Sequence, residues 1–391
     1  MQAKQFYFLL ILIALTTNVF AQSLPTRKIS FDDDWKFAFG SANNPAKDFN
    51  YSIATIFSKS GYAPGTPADT HFNDSFWRAL NLPHDWVVEL PFANSPSDDV
   101  ESHGYKPVGG LFPETSIGWY RKHFIVNAND SGHRFQIQFD GIFRDATIWV
   151  NGFFVGNNKS GYVGCAYDIT DLINFHKENI ITVRVDASQY EGWFYEGAGI
   201  YRHVWLNEYN NTHIATNGVF VFSDVNGKSA TVNIQSTIEN QNNNSSNNII
   251  ASYITDRDGN IIGKSTPQSI LILNNDTKTI TQKINITNPK LWSVDDPYLY
   301  RAVVLVKNQN NVIDSEKIRF GIRTINVTDS GLFVNGVYTK IHGMCNHQDA
   351  AGVGSAVPDY LQYYRVRLLK QMGVNAYRTS HNPATPELLD A

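Results

Sequence analysis

The chain has 391 residues, 42% of them hydrophobic and 13% aromatic, which is enough to fill the cores of two or three domains and too apolar for a disordered chain. With 32 basic against 36 acidic residues the net charge is -4, and with no Lys/Arg cluster this balance excludes the electrostatic footprint of nucleic-acid or anionic-membrane binding. Cys165 and Cys345 are the only cysteines; they fall in different expected domains, so no disulfide framework is expected and cores must supply the stability.

The first residues, MQAKQFYFLLILIALTTNVFAQ, read as a signal peptide. Lys4 gives a short positive region, an apolar run follows from Phe6 to Leu15, and compact residues end at Ala21, where a signal peptidase would cut. The run is too short for a membrane span, and no cysteine follows it to carry a lipid. The expectation is that residues 1–21 are removed. The mature protein would start near Gln22 and be exported to the periplasm or the outside of the cell, with no stable membrane insertion after cleavage.

Residues 22–210 show short runs of period two: Phe135, Ile137 and Phe139 on one side of a strand, Ile181, Val183 and Val185 on another. That period belongs to antiparallel sheet with one buried face. Asn151-Gly152, between Val150 and Phe153, is a hairpin signal. The region reads as a β-sandwich of jelly-roll type. Trp86, Trp119 and Trp149 read as core aromatics, and Asp85 and Asp145 as turn or capping groups.

Residues 211–323 hold roughly seven short strands, around 230–238, 249–256, 277–286 and 300–307 among others, which suits an immunoglobulin-like sandwich. The tract ENQNNNSSNN, residues 239–248, reads as a solvated hairpin loop between flanking strands.

After Arg323 the pattern changes. Residues 331–337 read as a small hairpin around Asn335-Gly336 and residues 339–342 as a short strand. Leu361, Tyr364, Leu368, Leu369 and Met372 then recur at helical spacing between a start at Pro358-Asp359 and a stop at Gly373. Residues 374–378 read as a second buried strand, and Pro386 opens another helix. Strand, helix, strand, helix onset is the beginning of a parallel α/β unit. Residues 324–391 are too few for a (β/α)8 barrel, which needs about 250 residues, so they are expected to be its truncated start. The fold class is mostly β: two sandwiches, then the first βαβ portion of a TIM barrel.

The strand ends collect polar groups. GMCNHQD places Asn346, His347 and Asp349 after the first strand, and RTSHNP places Arg378, His381 and Asn382 after the second. In a barrel both groups face the C-terminal mouth, where active sites lie, and imidazoles with an arginine suit hydrogen bonding to sugar hydroxyls.

NAYRTSHNPATPELLDA, residues 375–391, resembles the first signature of glycoside hydrolase family 2, the family of β-galactosidases, β-glucuronidases and β-mannosidases; Asn382 stands where tyrosine is typical. GMCNHQD resembles the segment that begins the family's barrel, with Cys345 and Asn346 replacing Asn and Arg. LPHDW (82–86), GWYRKHF (118–124), FDGIFRDATIWVNG (139–152) and EGWFYEGAGIYRHVWL (191–206) look like its sugar-binding domain. LWSVDDPYLY (291–300) and FGIR (320–323) look like its immunoglobulin-like middle domain.

The resemblance implies retaining hydrolysis of terminal β-glycosides, with the wording closest to β-galactosidases; β-glucuronidase and β-mannosidase are the alternatives within the family. It implies substrate binding by His347, Asp349, Arg378, His381 and Asn382, joined by Glu191 and Trp193 from a loop reaching across to the barrel mouth. Retention needs two carboxyl groups about 5–5.5 Å apart. The resemblance implies that both are glutamates beyond Ala391, so the 391-residue chain alone is expected to be inactive. Glu387, in a helix onset, is expected to face away from the mouth. No cofactor or metal is expected within the chain, although a cation beside the acid/base residue occurs in the family; the partner is an oligosaccharide or glycoside. Two readings from other classes are a non-catalytic carbohydrate-binding protein made of the two sandwiches and an assembly module donating its exposed strands.

Overall fold

The computed structural model describes residues 28–51, 64–93, 106–189 and 194–391. The expected signal peptide and the site candidates Glu191 and Trp193 lie outside these residues. Among the described residues no helix is long and apolar enough to cross a membrane.

Two antiparallel sheets form the first sandwich. One carries, in order, Lys28–Ser30, Val204–Tyr209, Arg134–Phe139 and Cys165–Asp168. The other carries Arg78–Leu80, Trp35–Phe39, Ile117–Ile125, Glu178–Asp186, Ala146–Val150 and Phe153–Asn158. Period two dictates what faces inward: Phe135, Ile137 and Phe139 from the first sheet meet Ile181, Val183 and Val185 from the second in one core. Each such side chain contributes roughly 1.5–3 kcal/mol by leaving water. Asn151 (φ 50°) and Gly152 (φ 85°) turn the chain between Ala146–Val150 and Phe153–Asn158, as the Asn-Gly signal requires.

Trp86, Trp119 and Trp149 are fully buried, in agreement with their reading as core aromatics. Trp119 and Trp149 stack with centroids 5.9 Å apart and planes 19° apart, in a second apolar cluster with Tyr51 and Trp77. Asp48 is buried beside them, accepting from Trp119 Nε1 at 2.7 Å and from Arg184 Nη2 at 2.9 Å. Asp145 is a turn residue, at φ 41°, whose Oδ1 accepts from Asn157 Nδ2.

The second sandwich packs Thr212–Asn226, Ser229–Asn240 and Asp276–Thr287 against a sheet of Ile261–Lys264, Ser246–Thr255, Tyr300–Asn308 and Asn311–Phe320, with Gln268–Ile272 also on Ser246–Thr255. Ile234, Ile250, Ile254, Ile284, Val304 and Val306 fill it. The Asn-rich tract departs from the expected hairpin loop. Ser229–Asn240 and Ser246–Thr255 lie in different sheets, so the tract crosses between them. Its ends are buried: Asn240 Nδ2 donates to the carbonyls of Asn244 and Leu273 at 2.9 Å and of Ile272 at 3.2 Å. Backbone carbonyls at the rim of the sandwich need donors, and an amide supplies them where composition suggested only solvent.

The last part has the expected order with shifted boundaries. Ile325–Thr328, Gly331–Val334 and Val337–Tyr338 make a small antiparallel sheet. The first barrel strand is Gly343–His347, not 339–342: Asn375 holds the latter segment as a loop, its Oδ1 accepting from the His342 amide and its Nδ2 donating to the Lys340 carbonyl, both at 2.8 Å. The second strand is Ala376–Ser380, two residues later than expected, and pairs in parallel with the first, Gly343 opposite Ala376 and His347 opposite Ser380. The helix between them, Asp359–Gln371, ends at Gly373 with φ 85°. Its covered face is not the expected stripe: Tyr364, Leu368 and Met372 are exposed, whereas Gln362 is buried and Arg365 half-buried. Pro386–Asp390 follows, with Thr385 Oγ1 accepting from the Leu388 amide at its start.

One packing constraint in the jelly roll gives a direct test. A Cβ on Gly118 would sit 2.5 Å from Cζ3 and 2.8 Å from Cη2 of the buried Trp86 ring. Because that ring is held on all sides, overpacking should cost about 1–3 kcal/mol. Gly118→Ala is expected to lower the urea midpoint accordingly, with an unchanged denaturant slope.

Candidate active site at the strand ends

The parallel pairing determines what the two strands present. Cys345 is opposite Arg378, so the two side chains share a face, with Arg378 Nη1 3.6 Å from Cys345 Sγ. That contact, with a smaller one from Ser380, pulls the Cys345 thiol below its ordinary pKa. Arg378 therefore stands within its strand, exposed, and not after it as the sequence suggested; likewise Asn346 and His347 are the last two residues of the first strand.

His347 and His381 come together at the ends. Their rings lie 5.4 Å apart at 77°. Phe194, from the jelly roll, closes the group at 5.7 Å from His347 and 6.1 Å from His381. Three rings from two sandwich-and-barrel layers thus share one spot, in edge-on and tilted arrangements that aromatic quadrupoles favour. Asp349 is half-buried just past the strand, Asn382 is half-buried, and His381 is exposed. Of the sequence candidates, His347 and His381 are in ring contact; Arg378 sits lower on the strand face.

Several residues outside the sequence candidates hold this floor in place. Arg365, from the helix, donates through Nη1 to the His347 carbonyl at 2.9 Å and through Nη2 to the Asp349 carbonyl at 2.8 Å. Arg202, from the jelly roll, donates to the Pro383 carbonyl at 2.7 Å. Asp85 is the deepest anchor. Its carboxylate accepts from the amides of Val87 and Ala198 at 3.0 Å and of Ser355 at 2.8 Å, and from Tyr195 Oη at 2.9 Å. Asp85 does cap the short turn Trp86–Glu89, but it also ties that turn to the loop after the first barrel strand, which the capping reading left out. Burial pushes its carboxyl pKa up, and those four donors pull against the shift.

Signals for two of these were present. Arg365 falls four residues after Leu361 and four before Leu369, a cation on the covered side of the helix, where it needs partners. Phe194 is in the EGWFYEG motif beside the chosen Glu191 and Trp193. For Asp85, Arg202 and the carbonyls they meet, separations of 181 and 270 residues leave no local pattern to read.

His203 bridges the same seam: Nδ1 is 2.7 Å from Asp32 Oδ2 and Nε2 is 2.9 Å from Asp359 Oδ1. His203, Asp359 and Glu387 offer ligand atoms within 4.8 Å of one another, as do Asp130, His133 and Glu208. In each group the histidine is already engaged by a carboxylate. Glu387 is thus in the seam between jelly roll and barrel start, lining a cavity that Arg202, Asn346 and His347 also line.

The whole order of parts has counterparts in known proteins. Residues 110–210 match the sugar binding domain of glycosyl hydrolases family 2, residues 212–323 a second domain of glycosyl hydrolases family 2, and residues 325–391 the family's TIM barrel domain. The chain belongs to glycosyl hydrolase family 2. It is 33% identical over 369 residues to β-galactosidase BoGH2A of Bacteroides ovatus, covering 94% of this chain and 40% of that protein. It is 30% identical over 367 residues to a β-glucuronidase of Formosa agariphila, covering 88% of this chain and 36% of that one. Among solved structures, a family 2 member from Bacteroides cellulosilyticus superposes with a TM-score of 0.79 at 32% identity, covering 93% of this chain and 46% of that chain. The chain therefore spans about two fifths of the length of the curated relatives it matches.

The His203 bridge makes the seam pH-sensitive. Its hydrogen bond to Asp32, opposed by burial and aided by Asp359, raises the imidazole pKa from 6.5 to about 9. A raised folded-state value means stability fully present below pH 6.5 and lost as pH rises through about 9. Thermal unfolding of the wild type should show this loss across that window, and His203→Gln should show a flatter profile there.

Proposed function

We propose that this chain is the N-terminal part of an exported, retaining β-glycosidase acting on terminal β-galactosides. The observation that carries the reading is the meeting of His347, His381 and Phe194 at the ends of two parallel barrel strands, the place where barrel enzymes bind their substrates. Each imidazole carries two ring nitrogens that can hydrogen-bond, so the pair can read adjacent hydroxyls of a sugar ring. Arg378, exposed on the strand face beside Cys345, adds a positive fork, Asp349 and Asn382 add polar groups at the rim, and Phe194 offers an apolar ring edge from the jelly roll. Glu191 and Trp193, three and one residues before Phe194 in the sequence, are included as substrate-binding residues on the strength of their motif alone.

In this reading the chain's own residues bind and orient the sugar. The two carboxyl groups of the retaining reaction, one to protonate the leaving oxygen and one to attack the anomeric carbon, are assigned to glutamates beyond Ala391. The part proposed for residues 1–391 is to bind and orient the glycoside. The galactoside preference rests on the β-galactosidases of Bacteroides ovatus and Thermoanaerobacter pseudethanolicus, 33% and 35% identical, against 30% for the β-glucuronidase of Formosa agariphila. Export rests on the first 21 residues of the sequence.

The test is equilibrium binding of a non-hydrolysable thio-β-galactoside by the 391-residue chain. His381→Ala and Arg378→Ala are expected to weaken binding about tenfold or more, equivalent to roughly 1.4 kcal/mol, with little change in thermal stability because both residues are exposed. Equal binding by both variants would place the sugar elsewhere.

A further inference from the structure

The cavity in the seam between jelly roll and barrel start is lined by polar side chains that the protein itself does not fully satisfy. Arg202 and Gln362 are 6% and 4% exposed, and both line it together with Asn346 and Gln348. Arg202 spends its two terminal nitrogens on the Asp140 and Pro383 carbonyls, which leaves Nε. Among the described residues, Arg202 Nε, Asn346 Nδ2, Gln348 Nε2 and Oε1, and Gln362 Oε1 have no hydrogen-bond partner, although all five atoms are buried. Buried polar atoms are nearly always paired, so five such atoms around one cavity point to an occupant.

Jelly roll, both barrel strands and both helices contribute to the walls: Arg202 comes from the first, Asn346 and Thr379 from the strands, and Gln362 and Glu387 from the helices. The five atoms are enclosed by residues of this chain. Their partner therefore lies inside the cavity, and not on an outer face that another part of a longer protein would cover.

Size and chemistry together choose the occupant. The cavity leaves about 30 Å³ for water centres, and one water needs roughly 10–15 Å³ of such space, so two waters fit and a sugar ring does not. A metal ion is held by acceptors and an anion by donors. Here Arg202 Nε, Asn346 Nδ2 and Gln348 Nε2 donate, whereas Gln348 Oε1 and Gln362 Oε1 accept. Water serves both kinds. Two waters bonded to each other, each forming up to about four hydrogen bonds, have roughly six left for these atoms.

We propose that two ordered waters occupy this cavity as a joint beneath the strand-end site, with Gln362 as a positioning residue for His347. The residues they connect all border that site. Asn346 and Gln348 flank His347 in sequence, and Arg202 holds the Pro383 carbonyl, two residues after His381. Gln362 lies three residues before Arg365, on the same side of the helix, and Arg365 holds the His347 carbonyl. Through the waters, jelly roll and helix fix the residues on both sides of His347 and so the direction of its ring. The positioning role rests on the sugar-binding reading above, whereas the waters themselves do not.

A crystal structure of the 391-residue chain, at a resolution that shows ordered water, tests the occupant. Two peaks without anomalous signal are expected, within hydrogen-bond distance of Gln362 Oε1 and Arg202 Nε. A metal ion held by Asp359 and Glu387, or side chains turned to bond one another with no water between them, would overturn the proposal. Gln362→Leu removes the acceptor and Gln362→Glu keeps one. In Gln362→Leu the amides of residues 346–348 should exchange about tenfold faster, and a thio-β-galactoside should bind about fivefold more weakly. Gln362→Glu should return both close to the wild-type values. Wild-type exchange and affinity in Gln362→Leu would overturn the positioning role, as would a loss that Gln362→Glu does not reverse, since that loss would be one of packing. If the wild type binds no thio-galactoside, the strand-end reading fails, while the density and the exchange rates still judge the waters.

Discussion

A carboxylate with no access to water needs donors from every side, and Asp85 obtains its four from three separate stretches of chain. Val87 belongs to its own turn, Tyr195 and Ala198 to the segment leading into the jelly roll's closing strand, and Ser355 to the loop after the first barrel strand. Two of its neighbours must be glycine. A Cβ on Gly197 would be 2.4 Å from Asp85 Oδ2, and one on Gly354 would be 2.2 Å away; both residues also have positive φ. Jelly roll and barrel start are thereby joined at one buried charge, where removing a donor or acceptor is costly.

The positions of the strand-end residues depend on that junction. Ser355 Oγ donates back to the Glu196 carbonyl at 3.1 Å, so the barrel loop and the segment carrying Phe194 are tied within two residues of each other. Phe194 then reaches His347 and His381, while Arg365 holds the backbone of residues 347 and 349 from the helix side. The jelly roll is accordingly part of the candidate site: it supplies a ring to the floor, an arginine to the Pro383 carbonyl and the acceptor that fixes the loop between them.

Much of the fold was legible in the sequence because its causes are local. Alternation at 135–139 and 181–185 marked inward faces, Asn151-Gly152 marked a turn of positive φ, and Gly373 marked a helix stop. The barrel start was legible in kind but misplaced by two to four residues, since Asn375 decides by a contact across 33 and 35 residues where the first strand begins. The helix face was misread because three apolar residues, Tyr364, Leu368 and Met372, lie on the exposed side while Gln362 and Arg365 lie on the covered one. The Asn-rich tract looked solvated because composition cannot reveal that Asn240 caps three carbonyls. At the candidate site, motif residues His347 and His381 could be picked out, whereas Asp85, Arg202 and Arg365 act through backbone groups far away in sequence and leave no motif of their own.

The junction is best tested by amide hydrogen exchange of Asp85→Asn against the wild type. Replacing one acceptor oxygen by an NH2 group sets a donor against the donors that surround it. The account predicts that the Ser355 and Ala198 amides exchange about tenfold faster or more and that Gly343–His347 loosens with them, while amides in the 212–323 sandwich keep their wild-type rates. Wild-type protection at Ser355 and across Gly343–His347 in the variant would contradict it, because the barrel start would then be held to the jelly roll by something other than Asp85.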